Sequence, residues 1–142
     1  MIATWPATLP PPQRDSWQLQ PQDARRKRQN DAGPPGYRRR FSSAAKSVSM
    51  AVKLTHNQRA VFDRFFHETC QEGTIRFWMP DPSTDGWPLT NAAGVGLLVN
   101  AQTKEPLLLS ERWLCAWGDQ LPTETVVDQV KFLKSFQIWV LP

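Results

Sequence analysis

The alternation of apolar and polar positions is clearest between Ser47 and Met79. Val48, Met50, Val52 and Leu54 share one face of an extended chain, and Ser47, Ser49, Ala51 and Lys53 share the other. A period of two marks a half-buried strand. At Thr55 the period changes. Thr55-x-x-Gln58 fits a capping box, in which a hydroxyl and an amide satisfy backbone donors at a helix start. Val61, Phe62, Phe65, Phe66, Thr69 and Cys70 then recur at helical spacing, an apolar stripe. Gly73 suits the position just past a helix end, so the spacing predicts a helix over about 56–72. Ile75 to Met79 reads as a further strand. No catalytic group stands out in this strand–helix–strand unit.

Downstream the pattern stays strand-like. Pro80 to Asn91 is a long loop, of a length often given to function. Val95 to Val99 is an apolar run beside Gly94 and Gly96 and predicts a strand. Leu107 to Trp117 predicts another, with Glu111, Trp113, Cys115 and Trp117 on one face. Val126 to Leu141 predicts one long final strand, alternating through Val130, Phe132, Lys134, Phe136, Ile138 and Val140. Its other face carries Leu133, Trp139 and Leu141, so both faces look covered. The expected fold is mainly β (α+β): a β-sandwich over residues 37–142, flanked by one amphipathic helix.

Residues 1–36 break the pattern. They show no convincing period and predict an extended, basic, proline-rich arm. Seven of the thirteen prolines precede Ser47. Trp5-Pro6 to Pro12 favours polyproline geometry, and Asn30 to Gly36 is turn chemistry. Trp5, Leu9 and Trp17 are isolated anchors, read as residues by which the arm docks. Residues 1–46 hold nine Lys/Arg and three Asp/Glu, net +6, and residues 47–142 hold eight and ten, net −2. A basic arm on a mildly acidic body points to a polyanion or to an acidic partner surface. The charge is concentrated at Arg25, Arg26, Lys27 and Arg28, and again at Arg38, Arg39 and Arg40, beside Tyr37. Tyr37 to Ser42 reads as a short strand.

Candidate chemistry is sparse. His67 and Cys70 stand three apart on the helix, a spacing that can bring two metal ligands together, but only His56 and Cys115 remain to complete a set. The reading is therefore no metal and no cofactor, with Cys70 and Cys115 as buried thiols. There is no Gly-x-Ser-x-Gly turn and no phosphate-binding glycine loop, so an enzyme is not expected. No apolar run approaches membrane-spanning length, and the N-terminus lacks a charged-then-apolar leader; synthesis in a cytoplasm is expected. The basic runs combined with flanking Tyr37 and Phe41 leave a nucleic-acid-binding accessory protein as an alternative.

The order of features resembles a family of small tail proteins of long-tailed bacteriophages. Trp5-Pro6-Ala7-x-Leu9-Pro10 precedes Asp31-Ala32-Gly33-Pro34, then Arg38-Arg39-Arg40-Phe41. The alternating strand, Gln58-x-x-Val61-Phe62-x-x-Phe65-Phe66 and Gly73-x-Ile75-x-Phe77 follow. The plan is similar to the lambda-type minor tail protein M and the distal tail proteins. The resemblance implies a virion protein: a ring of copies of this chain, commonly six-fold, at the distal end of the tail tube. Such a ring joins the tube protein to the tail-tip hub protein, and its lumen passes DNA. On this reading Arg25 to Arg28, Tyr37 and Arg38 to Arg40 face other subunits or the lumen.

Overall fold

The computed structural model describes residues 1–94, 102, 104–105 and 107–142. The expected strand is β5, Lys46–Leu54. Val48, Met50, Val52 and Leu54 are all buried, as the alternation requires. Thr55 caps the helix α1, His56–Arg64. The Gln58 N–H donates to the Thr55 hydroxyl at 3.4 Å and the Thr55 N–H donates to Gln58 Oε1 at 3.1 Å, so the capping box is real. The helical stretch then widens. Phe65–Thr69 is a π-helical turn, with the Cys70 N–H donating to the Phe65 carbonyl at 2.8 Å. The last helical residue is Thr69, four before the glycine that marks the boundary in the sequence, and Gln71, Glu72 and Gly73 all take positive φ. Phe62, Phe65, Phe66 and Cys70 form the buried stripe, while Val61 and Thr69 are exposed.

The mainly-β, α+β class with one flanking helix is what the structure has. Its layering is carried by one continuous seven-stranded sheet and a separate two-stranded sheet. In the large sheet β1 (Ala3–Thr4) lies parallel to β6 (Phe77–Pro80). Then come β7 (Arg112–Trp117), β9 (Lys131–Val140), β5 and finally β2 (Gln18–Pro21). β5 and β9 pair antiparallel along their whole length, from Lys46 with Val140 to Leu54 with Phe132.

Two expectations change. The long final strand is a hairpin, β8 (Thr123–Val127) turning into β9. Asp128 and Gln129 take φ of 49° and 65°, so the chain reverses in the left-handed region without a glycine to signal it. The strand expected over Leu107 to Trp117 is regular only from Arg112; Leu108 makes a single bridge to Pro88. The expected strand Val95 to Val99 lies outside the described residues.

The front segment is where the sequence reading and the structure differ most. Residues 1–21 are woven into the sheet at both outer positions, β1 beside β6 and β2 beside β5. Between them, the Gln13 N–H donates to the Ala51 carbonyl at 2.9 Å, covering more of the β5 edge. Trp5 is buried, with its ring centroid within 6.0 Å of those of Phe62, Phe65, Phe77 and Phe136. Leu9 belongs to the same core. Gln58 of the capping box also donates to the Thr8 carbonyl at 3.2 Å, so one side chain starts the helix and holds the front segment. Residues 1–21 thus complete the body, and position 36/37 falls inside the small second sheet.

Candidate functional site

That second sheet is an antiparallel hairpin of β3 (Arg25–Arg28) and β4 (Gly36–Arg39). Arg25 pairs with Arg39, Arg26 with Arg38, Lys27 with Tyr37 and Arg28 with Gly36. The Arg40 N–H continues the ladder to the Ala24 carbonyl at 2.6 Å. The connection is closed by Asn30, whose amide donates to the Pro34 carbonyl at 2.9 Å, and by Gly33 at φ +83°. The turn chemistry that separates the two basic runs in sequence brings them together in space.

Every residue of β3 and β4 is exposed. Because side chains alternate along a strand and face together across a pair, the hairpin has two distinct faces. One carries Arg26, Arg28, Arg38 and Arg40. The other carries Arg25, Lys27, Tyr37 and Arg39. The second face has local company: the Arg25 guanidinium lies 4.4 Å from the Tyr37 ring centroid, and Arg25 Nε donates to Asp23 Oδ1 at 3.0 Å. That contact holds the Asp23 carboxyl below its usual range. The first face has no ion pair among the described residues.

This arrangement works against the hairpin itself. Like charges directly opposite each other are destabilising, and a lone two-stranded hairpin is marginal in water. Arg25 faces Arg39 and Arg26 faces Arg38, with no apolar face to compensate. The hairpin is thus an exposed ribbon that concentrates cations at a cost to its own stability.

The remaining candidates go elsewhere. Trp5 and Leu9 dock within their own chain, and Trp17 stacks on Trp113 with centroids 6.1 Å apart. Trp17 also lines an open cleft of about 370 Å³ with Pro12, Arg14, Pro82 and Trp87. Cys70 is fully buried while His67 is exposed and bonded to Glu72 at 2.8 Å, so the two do not converge. Among the described residues no three His, Cys, Asp or Glu side chains are grouped to hold an ion. Burial pushes the Cys115 thiol up to about 12 and raises Cys70 as well, against a smaller opposing effect of the Trp117 indole; neither is an activated nucleophile. Asp81, buried in the long loop, accepts bonds from the Ser83 and Thr84 hydroxyls at 2.6 and 2.9 Å. Its role is to fold the turn.

The one buried cation is Lys134 among the described residues. It lies 2.9 Å from Asp63 and 3.3 Å from Glu124. Glu124 also receives Arg59, whose Nη2 donates at 3.0 Å. This network ties α1 to β8 and β9 and is absorbed in holding them together. Among the described residues, no helix is long and apolar enough to cross a membrane. No protein-family model and no curated protein matches the sequence.

Proposed function

We propose that the chain is a non-enzymatic structural subunit of a long-tailed phage virion. Copies of it form a ring at the distal end of the tail tube and join the tube protein to the tail-tip hub protein. The observation that carries this reading is the division of the molecule into a packed body and an exposed hairpin whose Arg26, Arg28, Arg38 and Arg40 face has no ion pair among the described residues. Buried thiols, a closed-off Asp81 and a lysine held in a structural network leave the body with packing as its work. The hairpin is a contact device. Its place in the ring is toward the lumen.

Contacts between copies fall to the body. Among the described residues β8 pairs with β9 on one side only, and its exposed surface carries Val126, with Leu121 and Val130 close in sequence. An open edge with apolar side chains is a template for a second chain, and heterologous contacts that close give rings. The test is light scattering and electron microscopy on the full chain, alone and co-expressed with a tail-tube protein and a tail-tip hub protein. Closed rings are the expected result, and Val126→Lys is expected to shift them toward monomer. A chain that stays monomeric in both settings overturns the reading.

A further inference from the structure

We propose that the Arg26, Arg28, Arg38 and Arg40 face of the hairpin binds the phosphate backbone of duplex DNA without regard to sequence. The biological setting of this inference, a lumen that passes DNA, rests on the assembly reading; the binding itself is carried by the geometry and charge of the hairpin.

The first argument is spacing. Residues two apart on a strand lie about 6.6–6.8 Å apart; a DNA strand advances about 3.4 Å along the axis per phosphate, and because it winds around that axis its neighbouring phosphates are separated by roughly twice that distance. Arg26 and Arg28 lie on one strand, and Arg38 and Arg40 continue along the other, so each strand offers two cations at about the spacing of neighbouring phosphates. A two-stranded ribbon is also narrow enough for the major groove, which is about 12 Å wide. This places cations near phosphates on both sides of the ribbon.

The second argument decides between DNA and an acidic surface on another copy. Residues 24–40 hold seven of the seventeen Lys/Arg and one of the thirteen Asp/Glu, net +6, which leaves the remainder of the chain at −2. That remainder spreads its twelve carboxylates thinly. Asp23, Asp63, Glu68, Glu124 and Asp128 already face Lys or Arg, Glu72 is bonded to His67, and Asp81 is closed in its own turn. That leaves Asp15, Asp85, Glu105, Glu111 and Asp119, single carboxylates scattered along the chain. A regular polyanion supplies what a second copy does not. The third argument concerns specificity. Arginine can grip a guanine edge, but four identical side chains with no Asn, Gln or carboxylate beside them spell no ordered sequence of bases, and phosphate and sugar take half or more of the hydrogen bonds in such interfaces.

The test is fluorescence anisotropy of the full chain with two unrelated duplexes of about 30 base pairs, across a salt series, with poly-glutamate of equal charge as the competing probe. Both duplexes are expected to bind equally, with a slope of log K against log salt of about −3.6, the value for four phosphates. The variant R26Q/R28Q/R38Q/R40Q is expected to lose roughly 10³-fold in affinity near 0.1 M salt. R25Q/K27Q/R39Q, on the other face, is expected to lose much less. Equal losses from the two faces, a flat salt series, or poly-glutamate binding tighter than duplex would each overturn the inference. Rings without DNA binding would leave the assembly reading standing and remove this one; DNA binding by a monomer would do the reverse.

Discussion

Residues 1–21 and residues 24–40 adjoin in sequence and share a proline-bearing, low-period composition, yet the fold treats them in opposite ways. The first segment supplies both outer strands of the large sheet and puts Trp5 into the core. Among the described residues the second pairs only with itself, and it exposes nearly all it has. The difference lies in what each can bury. Trp5, Leu9 and Trp17 bring large apolar side chains at intervals, enough to anchor an irregular chain. The arginine runs bring only charge, whose desolvation nothing in the body offsets. Lack of periodicity therefore has two meanings in one N-terminal region: a strap held by scattered anchors, and a ribbon left in water for a partner.

The most direct attack on this contrast is Trp5→Ala. The indole packs on four aromatic rings drawn from the helix and the sheet. Its removal is expected to destabilise the chain by about 3–5 kcal/mol, read as a fall in the urea midpoint at unchanged m. A loss below about 1 kcal/mol, the level of an average point substitution, would mean that the front segment is a removable arm after all, and the comparison would collapse.

The local units were legible because their signals are local. β5, the capping box and the inward face of β9 follow from periodicity and from Thr55 and Gln58. Trp5, Leu9 and Trp17 are recognisable as anchors. Their targets are not, since Phe77, Trp113 and Phe136 lie far along the chain and no pattern links them. The β8–β9 turn was hidden because Asp128 and Gln129 adopt positive φ without glycine. The hairpin was half visible: two basic runs flank a turn rich in Gly and Pro, but like charges argue against pairing. Only the register shows that four arginines share one face.

A second prediction separates charge that holds the body from charge that does not. Glu124 has its carboxyl held below the ordinary 4.5, first by the Arg59 hydrogen bond and then by Lys134. A depressed carboxyl contributes stability that is present above the unfolded value and is lost as pH falls through the folded one. Glu124→Gln is thus expected to cost about 1 kcal/mol at neutral pH, and the gap from wild type is expected to close once the pH has fallen well below 4.5. Parallel stability curves across that range, measured by urea titration at each pH, would show that the Lys134 network is ornamental and that the body, like the hairpin, carries charge for other reasons.

The smallest expected effect is the sharpest test of the hairpin. In R26Q/R28Q/R38Q/R40Q every altered side chain is exposed, and none has an ion pair among the described residues. Global stability is expected to stay within about 0.5 kcal/mol of wild type, and any shift should be a gain, since the Arg26–Arg38 opposition costs roughly 0.2–1 kcal/mol. That gain should fade as salt is added, because screening already relieves the repulsion in the wild type. A loss above about 1 kcal/mol would show that these arginines hold the fold, and their exposure would then need a structural cause. A neutral or stabilising result, set beside a large loss of DNA affinity in the same variant, would mean that the chain tolerates an unfavourable ribbon whose charge is offset only by a partner.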